Sequence, residues 1–264
     1  MPDFQLPPAF GTKTPGANSQ TQAGGGTDAL TQALRGSTYD QGKALVTPTG
    51  QPSAAQTGPG ATGGEVGGKK LKSALAQKVY DGNTKRVEGM EPARSEEQSA
   101  DDKLFEANWT RNQARYDAVS AKTGIPARLI AALHWRESSG NFETYLHQGD
   151  PLGKPAVHEP TDIPIFYKWE DAAVHALQQK KGVQTDLGMT AETTDKAAMA
   201  TYSEYYNGLG YHLKGQPSPY VFAGTNQYKS GKYVADGKYD PQAKDRQNGV
   251  MSLIGSDPNK TAQG

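Results

Sequence analysis

Apolar residues recur at helical spacing between residues 103 and 254. Phe105, Trp109, Tyr116 and Val119 fit one helix that ends near Gly124, where a glycine follows the last apolar position. The same spacing predicts further helices over residues 127–137, 169–180, 191–206 and 242–254. Between residues 141 and 165, and again between 229 and 241, prolines and glycines replace the periodic pattern and predict loops or a short hairpin.

The first 68 residues lack this pattern and are rich in Gly, Ala, Thr, Gln, Ser and Pro. Fourteen of the 31 glycines lie within residues 1–70. Such a composition buries too little apolar surface to offset the entropy of ordering the backbone, so we expect a disordered arm over 1–68. Residues 1–10, with Phe4, Leu6 and Phe10, or a short helix over 28–35, are candidate docking peptides; an inert tail is the alternative.

Residues 69–102 are charged and are expected to form a linker with one short helix over 70–80. Leu71, Leu75 and Val79 mark its apolar side, and Gly82 is expected to end it. Its basic residues predict a solvated helix face, with contact to an anionic polymer as the alternative. The folded domain is then expected over 103–258, followed by a tail over 259–264. Its helices and one small hairpin or loop wall predict a mostly α, α+β fold.

Composition narrows the possible functions. The 28 basic and 28 acidic residues cancel, so nothing favours nucleic acid as a partner. There is no cysteine, which excludes disulfides and thiolate metal sites. The mean hydropathy is −0.75, and no apolar run has the length that a membrane span needs. The first residues also lack the basic and apolar regions of a secretory signal, so synthesis in the cytoplasm is expected.

The segment 125–142 holds the leading candidate for catalysis. Leu129, Leu133 and Glu137 lie at i, i+4 and i+8 and therefore share one helix face. An acid on an apolar face loses hydration, which would raise the pKa of Glu137 and suit it to act as a general acid. The alternative is a surface glutamate that points to solvent or pairs with Arg128 or Arg136. The helix C-terminus disfavours an anion, so a structural role explains Glu137 less well.

Residues 132–142, which read Ala-Leu-His-Trp-Arg-Glu-Ser-Ser-Gly-Asn-Phe, resemble the Glu-Ser motif of the lysozyme and lytic-transglycosylase superfamily. Residues 147–152, 206–211 and 218–226 resemble phage-type members, and the similarity spans about 105–254. The resemblance implies a lysozyme-like fold and a peptidoglycan glycosidase with Glu137 as its acid. Such an enzyme without a signal would reach the wall by lysis-assisted release or inside a phage-like injection particle, with residues 1–70 as the docking segment.

Glycosidases commonly pair their acid with a second carboxylate. Asp150 is our leading candidate, with Glu159 and Asp162 behind it; a turn-forming role for Asp150 is equally open. If none faces Glu137, the resemblance favours transglycosylation, in which a hydroxyl of the substrate attacks. The remaining candidates are expected to bind substrate: Ser138, His147, Tyr206, Asn207, Tyr211 and Tyr220. For Ser138, two other roles are open: orienting Glu137 or capping the turn. The alternative for Asn207 is a helix cap, and the alternative for the tyrosines is a place in the core.

A metal site is the weaker interpretation of the same residues. His134 and Glu137 are three residues apart, as are His147 and Asp150, but the His-Glu-x-x-His signature is missing. We therefore expect neither a metal nor a cofactor. Two other functions stay open: a non-catalytic component with a lysozyme-like fold that binds the wall or docks in a spike or tube, and a chitinase-like glycosidase.

Overall fold

The structure is a computed structural model that describes residues 69–235 and 238–255. It is mostly helical with one two-stranded antiparallel sheet, which confirms the coarse fold class. The helices are α1 (Ala74–Glu88), α2 (Glu96–Thr123), α3 (Ala127–Ser138), α4 (Trp169–Gln178), α5 (Lys181–Asp186), α6 (Lys196–Asn207), α7 (Gly210–Leu213), α8 (Pro219–Phe222) and α9 (Val250–Gly255). Strands β1 (Lys232–Ala235) and β2 (Lys238–Asp240) pair Tyr233 with Tyr239.

Helix α3 lies at the centre of the main core. Gly124 ends α2 in a left-handed conformation with φ 72°, and Pro126 then precedes the first turn of α3. Leu129, Ile130 and Leu133 are fully buried, where α3 packs against α2 and α9. These contacts fix the direction of α3, and therefore the place where its C-terminal end emerges.

Helix α1 is longer than the sequence pattern predicts and belongs to the domain. It continues through Gly82 to Glu88 and packs along α6, with Ala76, Val79 and Asn83 buried. A single glycine in a helix costs only about 1 kcal/mol relative to alanine, which tertiary packing offsets here. The expected helix end at Gly82 is therefore wrong.

The expected linker over residues 89–102 also differs from the structure. Glu91 and Ala93 form backbone hydrogen bonds of 2.9 Å to Asn226 and Gly224. Ser95 then begins α2 with a capping box, in which Ser95 and Gln98 satisfy each other's backbone N–H groups. The structured region thus begins by residue 69 rather than near 103. The sequence pattern missed this because the segment pairs with residues far away in the chain.

Residues 141–168 form an irregular loop that has its own small apolar cluster. Tyr145, Ala156 and Ile163 pack there against Ala172 of α4. The Tyr145 hydroxyl donates to the Lys154 carbonyl at 2.8 Å and accepts from the Phe166 amide at 3.2 Å. The expected loop is present, and these bonds hold its two halves together.

The last two predicted helices are shorter than expected. Helix α6 begins at Lys196 instead of 191, because Asp195 caps its first turn through the Ala198 amide. Helix α9 begins at Val250 instead of 242, because Asp245 and Asn248 use their side chains in long-range contacts before it. The predictions for residues 1–68 and 256–264 lie outside the described residues. No helix in the described ranges combines the length and hydropathy needed to cross a bilayer.

Candidate functional site

Glu137 occupies the last turn of α3 and is half-buried. The chain turns immediately after it, because Ser139 and Gly140 both take left-handed conformations with φ of 54° and 73°. The Gly140 amide donates to the carbonyl of His134. This sharp end leaves the Glu137 side chain at the junction of α3 with the loop that follows.

Tyr220 is a partner of the Glu137 carboxylate. Its hydroxyl donates a hydrogen bond of 2.8 Å to Oε1 of Glu137. Tyr220 is buried, and the short helix α8 holds it, with Pro219 at the first helical position. Burial raises the pKa of Tyr220 well above 10, and the neighbouring charge of Glu137 raises it further. Tyr220 therefore remains a neutral donor at any physiological pH.

Tyr206 lies on the same side of the site. Its hydroxyl donates to the carbonyl of Leu146 at 2.7 Å. Burial raises the pKa of Tyr206 well above 10. Electrostatic repulsion from Glu137 and Tyr202 raises this pKa further, by smaller amounts. Helix α8 thus brings Tyr220 into contact with Glu137, and helix α6 brings Tyr206 close enough to feel its charge. The predicted role of both tyrosines in binding substrate stays a prediction.

Gly149 lets the 141–168 loop approach the end of α3. It has a φ of 81°, and a Cβ atom added there would lie 2.9 Å from the backbone oxygen of Glu137. Its amide donates to the carbonyl of Tyr145 at 2.9 Å. A side chain at position 149 would therefore strain the backbone and displace the loop from Glu137.

Arg136, which forms an ion pair with Asp245, also packs against the Tyr220 ring. The Arg136 guanidinium carbon lies 5.1 Å from the ring centroid, and Nη2 of Arg136 donates to Oδ2 of Asp245 at 2.9 Å. Burial alone would raise the pKa of Asp245, but Arg136 holds it below its usual value. The sequence predicts only Glu137 as a partner of Arg136 and does not predict the contact with Asp245. These two residues are 109 positions apart, and no local pattern links them.

Asp150 uses its carboxylate to hold the loop. Its Oδ2 accepts the amides of Val157 and His158 at 2.7 and 2.9 Å, and its Oδ1 lies 2.6 Å from Nδ1 of His158. Burial would raise the pKa of Asp150, but the bonds from His158 and Val157 lower it overall. These contacts fit the turn-forming role that the sequence left open, and they do not join Asp150 to Glu137.

His147 packs within the protein instead of beside Glu137's carboxylate. Its Nε2 lies 2.9 Å from Nδ1 of His175, and its ring stacks on Phe166. Burial lowers the pKa of His147 to about 3, so the ring is neutral at physiological pH. The structure therefore gives His147 a packing contact, and its predicted role in binding substrate stays a prediction.

The other predicted substrate residues are dispersed. The hydroxyl of Ser138 makes only long contacts of 3.5 Å to the carbonyls of His134 and Asn141. Asn207 is the exposed last residue of α6. The Tyr211 hydroxyl accepts the amide of Tyr233 at 2.9 Å, so Tyr211 supports the hairpin.

His134, one of the two histidines considered for a metal site, has both ring nitrogens in contact with other groups. Nδ1 of His134 lies 3.0 Å from the Tyr116 hydroxyl, and Nε2 lies 3.0 Å from the Asn141 carbonyl. Burial lowers the pKa of His134 to about 3. Glu159 and Asp162, the weaker acid candidates, are exposed. Over residues 69–235 and 238–255, no three His, Asp or Glu side chains cluster as metal ligands would.

No protein-family model, curated protein or solved structure matches this chain.

The chemistry of the site therefore has to be inferred from its own geometry. A carboxyl group stands at a helix end, where the buried Tyr220 donates a hydrogen bond to it and the charge of the carboxylate acts on the half-buried Tyr206. Such a carboxyl group can exchange a proton with a bound ligand while the tyrosine fixes its orientation.

Proposed function

We propose that this chain is a peptidoglycan glycosidase of the lysozyme and lytic-transglycosylase type, with Glu137 as its general acid. The hydrogen bond from Tyr220 to Glu137 carries the proposal, because it orients a single carboxyl group at the end of α3. General acid catalysis requires a carboxyl group held within reach of the leaving oxygen. The four motifs that resemble the family are the second support.

The contacts of Asp150 favour a mechanism with one carboxylate. Its oxygens already accept bonds from Val157 and His158. We therefore favour transglycosylation, in which Glu137 protonates the leaving oxygen and a hydroxyl of the substrate attacks the sugar carbon. The bond to the leaving group breaks, a bond to that hydroxyl oxygen forms, and the hydroxyl proton returns to the carboxylate. The product is an anhydro-sugar.

The test is digestion of purified peptidoglycan by wild type and by Glu137→Gln. Glutamine keeps the shape of the side chain but cannot give up a proton, so we expect turbidity loss to slow roughly 100- to 10,000-fold. Glu143→Gln is the control, because Glu143 is an exposed acid on the following loop. Equal activity of wild type and Glu137→Gln would refute the proposal. Mass spectrometry of the products distinguishes anhydro ends from reducing ends.

A non-catalytic role in wall binding is the second candidate, and the engaged carboxylate of Asp150 is the observation in its favour. It predicts that wild type binds purified sacculi and releases no fragment. A chitinase-like activity would appear as cleavage of chitin oligomers without cleavage of wall. Delivery by a phage or injection particle, with residues 1–70 as the docking segment, is part of the same proposal and rests on sequence alone.

A further inference from the structure

A cavity of about 490 Å³ lies between the start of α2 and the segments on either side of the β-hairpin. We call it the hairpin-side cavity. Its lining includes Ser95, Gln98, Tyr228, Lys229, Lys244 and Asp245. The volume is in the range of sites that bind small molecules and short peptides. Glu137 is not among the lining residues, so this cavity is separate from the site described above.

Internal hydrogen bonds fix the walls of the hairpin-side cavity. The Gln98 side chain accepts the amide of Ser95 at 3.0 Å and donates to the Asp245 carbonyl at 3.2 Å. The Tyr228 hydroxyl accepts the Asp245 amide at 3.2 Å. A ligand would therefore enter a cavity whose walls are already ordered, which reduces the entropy that binding costs.

The charges around the cavity favour an anion. The carboxylate of Asp245 is neutralised by Arg136 at 2.9 Å and by Lys232 at 3.6 Å. Glu97 and Arg246 face each other at 3.8 Å, and both are largely exposed. Lys229 and Lys244 are exposed, and neither has an acidic side chain within 4 Å among the described residues. Two ammonium groups at the cavity are thus uncompensated.

The cavity is linked to the candidate acid through one ion pair. Asp245 lines the cavity on one side and binds Arg136, the residue before Glu137, on the other. The guanidinium of Arg136 contacts the ring of Tyr220, which donates to Glu137. The residues that line the cavity and those that orient Glu137 thus share the Arg136–Asp245 ion pair.

We propose that the hairpin-side cavity binds a short peptide through its free carboxylates, and that this peptide is the stem attached to the glycan of the wall. The identity of the peptide rests on the proposed function, whereas the binding of a carboxylate-bearing peptide does not. Lys229 and Lys244 bind the carboxylates. Recognition of the stem then selects peptide-bearing strands over bare glycan.

The test is calorimetric titration of the Glu137→Gln protein with the synthetic tripeptide L-Ala-γ-D-Glu-L-Lys. We expect saturable binding, and at least tenfold weaker binding when the carboxylates of the peptide are amidated. The double variant Lys229→Glu/Lys244→Glu should also bind at least tenfold more weakly. The control Lys103→Glu/Lys196→Glu makes the same change in net charge at exposed lysines outside the cavity lining and should bind as the parent does.

Absence of saturable binding would overturn the inference, as would equal affinity for the amidated peptide or equal weakening in both double variants. Folding of each variant is checked by its thermal transition. The outcome is independent of catalysis, because the titration uses the Glu137→Gln protein. Tripeptide binding by a chain that does not cleave wall would refute the proposed function alone. Cleavage without tripeptide binding would refute this inference alone.

Discussion

The contact between Tyr220 and Glu137 combines a neutral donor with an acid at a helix end. The hydroxyl lies 2.8 Å from Oε1, and the guanidinium of Arg136 packs against the ring. A hydrogen bond to a carboxylate stabilises the ionised form relative to the protonated one. Tyr220 thus does two things to the acid: it fixes the orientation of the carboxyl group and favours its ionisation.

Tyr220→Phe separates these two effects. Loss of the donor removes a bond to the ionised form, so the acid should stay protonated to higher pH and the alkaline limb of the activity profile should move upward. Loss of orientation should lower kcat about tenfold or more with little change in KM. The measurement is kcat and KM against pH on wall fragments. Tyr239→Phe is the control, and an unchanged pH profile in Tyr220→Phe would contradict the prediction.

At the scale of single residues, the sequence pointed to several residues of the candidate site but not to the residues that contact them. Helical spacing and the following turn singled out Glu137, and the tyrosine-rich motifs led to Tyr206 and Tyr220. Asp245 was missed, because a long-range ion pair leaves no periodic pattern in the chain. The role of Asp150 also depended on structure, since a carboxylate before proline can cap a turn or face a substrate with the same local sequence.

Among the elements, the loop over residues 141–168 depends most on one side chain. Asp150 is buried and binds the amides of Val157 and His158, while Gly149 beside it approaches the end of α3. The loop has no regular strand or helix to support it. The hydrogen bonds of Asp150 therefore replace the backbone ladder that a hairpin would have supplied.

Asp150→Asn should destabilise the protein without removing the chemistry. An amide keeps the size of the side chain, and its one oxygen can still accept the amides of Val157 and His158. The negative charge that strengthens these bonds is lost, at a cost of about 1–3 kcal/mol. The midpoint of urea unfolding measures this loss. Asp162→Asn, at an exposed acid in the same loop, should leave it unchanged. A 1,000-fold loss of kcat with unchanged stability would instead make Asp150 catalytic.

The contrast between α1 and α3 shows which elements the sequence could predict. For α3, the proline start, the apolar face and the glycine turn agree with one another, and the observed bounds follow them. For α1, the local pattern ended at Gly82, yet packing on α6 carries the helix to Glu88. Local patterns predict an element well when they agree with its packing, and fail where distant contacts decide its length.

Across the whole molecule, the N-terminal part of the structured region is joined to the C-terminal part. Helix α1 packs on α6, and Glu91 pairs with Asn226. Glu204 of α6 is buried at this junction, where Arg86 of α1 acts on its charge and Nδ1 of His212 lies 3.9 Å away. Burial raises the pKa of Glu204 to about 7, partly offset by Arg86 and a hydrogen bond from Asn83.

The raised pKa of Glu204 makes stability fall with pH in a definite window. The folded protein favours the protonated acid, so this contribution is complete below pH 4.5 and is lost as the pH rises to about 7. The difference between a pKa of 4.5 and one of about 7, at about 1.4 kcal/mol per pKa unit, limits this contribution to about 3.5 kcal/mol. His212 acts in the opposite sense, because burial lowers its pKa and its contribution is lost as the pH falls through the region of 6.5 and below.

Glu204→Gln separates the contribution of Glu204 to the pH dependence of stability from the contribution of His212. We expect the variant to gain stability relative to wild type between pH 5 and pH 8, because glutamine cannot ionise in the buried site while Glu204 must. The difference in unfolding free energy between the two proteins, measured by urea titration at each pH, cancels His212 and the other groups that they share. Glu192→Gln, at an exposed acid, should follow wild type at every pH. If the unfolding free energies of Glu204→Gln and wild type changed in parallel with pH, Glu204 would already be ionised in the folded protein at pH 5. The junction of α1 with α6 would then tolerate its charge.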